Sequence, residues 1–166
     1  MFVLRCTQRL LTRLRPTQVE EAGPPTTALG DWYANLVYVG RRQLVLAVSE
    51  RTFLPVLVAA APITTLVERI CAGTGNVLRA LDVDRSAVDR ELAEMSRAAI
   101  GKTASRQVTG VMVDFAKALE FYLEGESLHS VSLKLAEAPC SPLYDAAISP
   151  DRATRSLFAK SSPLSS

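Results

Sequence analysis

The spacing of apolar residues changes character along the chain. Phe2–Cys6 is a short run, apolar but for Arg5, of the kind that forms a strand. Leu10, Leu11 and Leu14 then share one helical face over Gln8–Leu14, with Thr7 placed to cap the helix and Pro16 to stop it. Residues 15–30 include Gly23-Pro24-Pro25-Thr26-Thr27 and read as an exposed loop. Trp32–Val39 and Gln43–Ser49 are rich in aromatic and β-branched residues, and Gly40-Arg41 is the predicted turn of a β-hairpin. Alternation sends Trp32, Ala34, Leu36 and Tyr38 to one face of the strand and Tyr33, Asn35, Val37 and Val39 to the other. Apolar residues on both predict a sheet covered on both sides. A third short strand is read at Val56–Val58.

From Pro62 the period becomes helical. Ile63, Leu66, Ile70, Val77 and Leu81 keep one face, and Gly73 and Gly75 are expected to weaken or split this helix. A second helix is predicted from about Ser86 to Ala99, with Ser86 and Asp89 resembling a capping box. Lys102–Thr109 is polar, a strand or an extended link. A long helix follows over about Gly110–Glu124 with a stripe of Met112, Phe115, Leu119 and Tyr122. Leu128–Glu137 is a further short helix. Ser149-Pro150-Asp151 opens a last one through Phe158, with Ser149 as cap and Pro150 at its first position. These elements predict an α+β fold in which a small antiparallel sheet, the N-terminal strand plus the hairpin, packs against four to six helices. The C-terminal two-thirds is mostly helical. One domain is expected over residues 1–158 and a disordered Ser-rich tail over 159–166.

At 166 residues and 48% hydrophobic content, the chain can bury a sizeable core. A net charge of +2 is too small for a protein that coats nucleic acid with its whole surface. The arginines are unevenly placed, however. Residues 1–51 hold Arg5, Arg9, Arg13, Arg15, Arg41, Arg42 and Arg51 against Glu20, Glu21, Asp31 and Glu50. The early arginines loosely mimic a transit peptide, but the strand and helix patterns account for the same residues. Cys6, Cys71 and Cys140 are too scattered for a disulfide framework or a zinc ribbon and fit a reducing cytoplasm. No apolar run is long enough to span a membrane.

Phe2-Val3-Leu4-Arg5-Cys6-Thr7-Gln8, Leu29-Gly30-Asp31-Trp32-Tyr33-Ala34-Asn35-Leu36, Leu133-Lys134-Leu135-Ala136-Glu137 and Pro139-Cys140-Ser141-Pro142-Leu143 resemble a bacterial family of small proteins known as a domain of unknown function. The resemblance spans roughly residues 2–158, and Gly30–Leu36 is its most specific part. A Met-Asn-Asp-Phe run opens the long helix in that family. Here it reads Met112-Val113-Asp114-Phe115. The resemblance implies a single-domain fold and a bacterial cytoplasm, and no activity.

Asp31, Trp32 and Asn35 form one candidate site, Trp32 as a stacking platform and the other two as hydrogen-bonding groups. The plainer reading makes Gly30-Asp31 a turn and Trp32 a core residue. Arg41, Arg42 and Arg51 can hold phosphate oxygens, and Arg9 and Arg13 would join them if the first helix lies beside the hairpin. Lys102 and Arg106 precede the long helix, whose start favours anions, although Gly101-Lys102-Thr103 lacks the spacing of a phosphate-binding loop. Asp31 and Asp114 are candidates for paired acid–base or metal carboxylates, should the fold bring them together. His129 stands alone, with no nucleophile elbow in the chain. Gly73-Thr74-Gly75 follows no strand and is no dinucleotide fingerprint. No cofactor signature and no metal-ligand set is present.

The reading ranked first is a bacterial cytoplasmic, non-enzymatic binding module that contacts nucleic acid or an acidic partner through an arginine-bearing face. The first alternative is an enzyme for a phosphorylated or nucleotide substrate, with Asp31 or Asp114 as its acid–base or metal group. The second is a regulatory protein-interaction component of a toxin–antitoxin or defence module.

Overall fold

The computed structural model describes residues 1–21 and 23–161. Five strands and six helices occur in it: β1 (Phe2–Cys6), α1 (Gln8–Leu14), β2 (Trp32–Val39), β3 (Arg42–Ser49), β4 (Pro55–Ala59), α2 (Leu66–Ala80), α3 (Arg85–Glu94), β5 (Ala98–Lys102), α4 (Arg106–Tyr122), α5 (Leu128–Glu137) and α6 (Pro150–Ser161). The α+β class stands, with the helices concentrated after β4.

The strands form one mixed sheet in the order β4-β3-β2-β1-β5. The β2–β3–β4 meander is antiparallel, whereas β1 runs parallel to both β2 and β5. Each face carries its own apolar cluster. Phe2, Leu4, Cys6, Trp32, Ala34 and Leu36 pack with residues of α1, α2, α3 and α6. Tyr33, Val37, Leu44, Leu46 and Val48 pack beneath α4 and α5. The alternation along β2 thus divides as its sequence predicts.

Both sheet edges are closed. On β4, Pro55 has no N–H to offer, Leu57 donates to the Ser132 hydroxyl at 2.9 Å, and the Ala59 carbonyl accepts from Arg69 at 3.1 Å. On β5, the Ile100 carbonyl accepts from the Glu20 amide at 2.8 Å, so the loop after α1 covers that edge.

Several local expectations shift. β5 occupies Ala98–Lys102, where the predicted second helix was to end. That helix stops at Glu94, and its cap is Asp84, which accepts from the Ala87 amide at 3.3 Å; Ser86 turns its hydroxyl onto Asp84 instead. α4 starts at Arg106, four residues earlier than predicted, because Ser105 caps it through the Val108 amide at 3.3 Å. α2 runs unbroken through Gly73 and Gly75. A Cβ on Gly73 would sit 2.6 Å from Val56 Cγ1, so the glycine lets α2 approach β4. α6 continues past Phe158 to Ser161. The remainder of the expected tail, 162–166, lies outside the described residues.

Candidate functional site

β1, β2 and β5 are parallel, so their carboxyl ends point the same way. β2 outruns β1: their pairing ends at Cys6 and Ala34, and Asn35–Val39 project beyond it with β3 as their strand partner. α1 lies along this overhang. The Thr7 amide donates to the Ala34 carbonyl at 3.1 Å, and the Thr7 hydroxyl lies 2.5 Å from Asn35 Oδ1. Thr7 is therefore the N-cap by position, but its hydroxyl serves the strand instead of the helix. Leu10 and Leu11 point into the core, which leaves Arg9 and Arg13 in solvent. The Arg9 guanidinium lies 6.0 Å from the centre of the Tyr38 ring, within cation–π range.

Tyr38 is 51% exposed. Gln43, its cross-strand partner, is exposed beside it. Arg41 sits in the exposed hairpin turn. Lys102 pairs in register with Cys6 and so faces the α1 side, in solvent. Among the described residues, Arg9, Arg13, Arg41 and Lys102 form no ion pair with a carboxylate. Arg42 and Arg106 lie apart from this group. Arg42 pairs with Val39 on the opposite face, where Glu120 and Glu124 share a shallow cavity of about 340 Å³ with it. Arg106 is exposed on the first turn of α4, on that same opposite face.

The other end of β2 is built for stability. Asp31 is 4% exposed. Its Oδ1 accepts from the Val3 amide at 2.9 Å and its Oδ2 from Arg5 Nε at 3.1 Å. Trp32 is wholly buried in the core, and its Nε1 has no partner among the described residues. Arg51 donates to the carbonyls of Thr27 and Ala28 at 3.2 and 3.1 Å. Beneath the same loop lies Glu91, 3% exposed, which accepts from the amides of Ala28 and Leu29 at 2.7 and 2.8 Å. Burial pushes its carboxyl above the usual range, against the opposing pull of those two amides and of Arg51.

Asp114 stands exposed on α4, and no hydrogen bond or ion pair links it to Asp31 among the described residues. Its charge, after burial, helps raise the Cys140 thiol to about 11; burial alone pushes Cys6 to about 12. All three cysteines are free, and thiols so raised carry almost no thiolate at neutral pH. His129 is exposed at the start of α5. Among the described residues no three His, Cys, Asp or Glu side chains gather where they could hold a metal ion. No described helix is long and apolar enough to cross a membrane.

The model of a family described as Domain of unknown function (DUF6933) matches residues 3–153. The chain belongs to that family. No curated protein and no solved structure matches it. Within the DUF6933 match fall all the candidate site residues, from Arg9 in α1 to His129 in α5. Two residues named above went unmarked in the sequence. Glu91 sits three residues after Val88 and four before Met95, so a carboxylate on the inward face of α3 was its only signal. Tyr38 continues the inward series of Trp32, Ala34 and Leu36, but it lies past the end of β1, where the sheet no longer has a neighbouring strand to cover it.

Proposed function

We propose that this DUF6933 protein is a non-enzymatic binding module that takes nucleic acid on the α1 side of the sheet's carboxyl end, in a bacterial cytoplasm. The observation that carries the reading is the set of exposed cations Arg9, Arg13, Arg41 and Lys102 near the carboxyl ends of the parallel strands, with Arg9 over the Tyr38 ring and, among the described residues, no carboxylate paired to any of them. Guanidinium forks suit phosphate oxygens, and each cation that neutralises a phosphate releases a counterion. Three free cysteines agree with a reducing compartment. Asp31 supports no catalytic part, because both of its oxygens hold the fold.

Fluorescence anisotropy with labelled DNA and RNA oligonucleotides tests this. Affinity should fall as salt rises from about 50 to about 200 mM, with a log–log slope near −3 on a single strand if all of these cations reach phosphates at about −0.7 each. Arg13→Glu with Arg41→Glu should weaken binding about tenfold or more, whereas Lys117→Glu, on the outer face of α4, should leave it unchanged. A flat isotherm for both DNA and RNA at low salt overturns the reading and leaves an acidic protein as the partner to seek.

A further inference from the structure

One cation of the basic group, Arg9, lies over an exposed aromatic ring, and the ring adds information that charge alone lacks. Tyr38 is half accessible at the far end of a strand that projects beyond its parallel neighbour. Arg9 lies over one face of the ring, 6.0 Å from its centre and at the outer limit of cation–π distance, so a base stacks on the other face or displaces the guanidinium. Across the strand pair, Gln43 presents an exposed amide with both donor and acceptor capacity. An aromatic face, a guanidinium next to it and a neighbouring amide match the three parts of a nucleotide: base plane, phosphate and base edge.

Resting on the nucleic-acid reading above, we propose that the ligand is single-stranded and that one base stacks on Tyr38. In a duplex both faces of a base are taken by its stacked neighbours, so a ring fixed on a short strand end cannot reach one. In a single strand the bases splay, and stacking on an aromatic ring is sequence-tolerant because every base has a π face. A base on Tyr38 puts its phosphate within the reach of Arg9, with Arg13 one helical turn further along α1 for the next. Trp32, the chain's sole tryptophan, takes no part, since it is sealed in the core.

The experiment compares an oligo-dT strand with a duplex of equal length at one salt concentration, using the full chain. The single strand should bind about tenfold or more tightly, and Tyr38→Ala should lose most of that margin. Tyr38→Phe should stay within about twofold of wild type, because the π face is kept. Tyr38→Leu keeps an apolar group without a π face and should behave like Tyr38→Ala. Each variant's circular dichroism and melting temperature should match wild type, since the ring is largely outside the core. Of the four tyrosines, the share of emission that is lost in Tyr38→Leu should be the share quenched by the strand and not by the duplex. Equal binding of strand and duplex, both weakened by Arg13→Glu and neither by Tyr38→Ala, overturns the stacking proposal and leaves the electrostatic one intact. Absence of binding to either ligand overturns both.

Discussion

Both carboxylate oxygens of Asp31 are committed inside the fold, one to the Val3 amide and one to Arg5. Arg5 in turn donates to the Lys102 carbonyl at 3.2 Å, so this one side chain ties β2 to β1 and, through Arg5, to the end of β5. Asp31→Ala strands a buried amide and a half-buried guanidinium. The cost should be about 2–4 kcal/mol, a discount on a fully buried pair because Arg5 keeps some water. Urea denaturation measures the loss. Oligonucleotide affinity, taken well below the melting temperature, should not change. A fully stable variant that lost binding would instead make Asp31 a ligand contact. The aspartate was visible in the sequence as a polar residue at a strand entrance, but its partners were not. Val3 and Arg5 lie 28 and 26 residues away, and only the parallel pairing of β1 with β2 brings them together.

At the level of elements, short-range signals were legible and long-range ones were not. α5 could be read residue for residue over Leu128–Glu137, because Ser127 caps it and its apolar face repeats cleanly. β5 could not, since Ala-Ala-Ile-Gly-Lys has no alternation and its strand character comes from register with Phe2–Cys6. The candidate site divides along the same line: Arg9 and Arg13 stand out as an i,i+4 pair, whereas the exposure of Tyr38 follows from where β1 stops. Glycines in helices show how contact overrides propensity. Replacing helical Gly by Ala gains roughly 0.5–1 kcal/mol where nothing intervenes. Around Gly110 of α4 nothing lies within 4 Å of the added carbon, so Gly110→Ala should raise the melting temperature by about 1–4 °C. In α2 the added carbon at Gly73 meets Val56 Cγ1 at 2.6 Å. Overpacking there costs about 1–3 kcal/mol, more than the propensity gain, so Gly73→Ala should lower the melting temperature. Differential scanning calorimetry of the two variants decides the matter; shifts of the same sign would show that α2 yields to the methyl group.

Across the whole molecule, the carboxylates set a stability profile with two opposed limbs. Asp84, Glu94 and Glu126 are held below the ordinary range, first by hydrogen bonds from Ser86, Thr26 and Lys134 respectively. Each contributes stability that is present above its unfolded pKa and is lost as pH falls through the lower folded value. Glu91 acts in the other direction. Its folded pKa is raised, so the folded state binds the proton more tightly than the unfolded chain does. Its favourable share is complete below the unfolded value of about 4.3 and disappears as pH rises through the folded one. Stability should therefore climb out of the acid range, pass a maximum just above the ordinary glutamate pKa, and decline until Glu91 has ionised. Glu91→Gln removes the descending limb, because an amide carries no proton equilibrium in this range. The same change turns an NH₂ group toward the Ala28 or Leu29 amide, so the variant should also be less stable at every pH by about 1–3 kcal/mol. Urea midpoints across the acid-to-neutral range separate the two effects, one a uniform offset and the other a change of slope. A variant whose curve runs parallel to wild type above the glutamate pKa would mean that Glu91 titrates as it does in the unfolded chain, and that the two loop amides and Arg51 fully offset its burial.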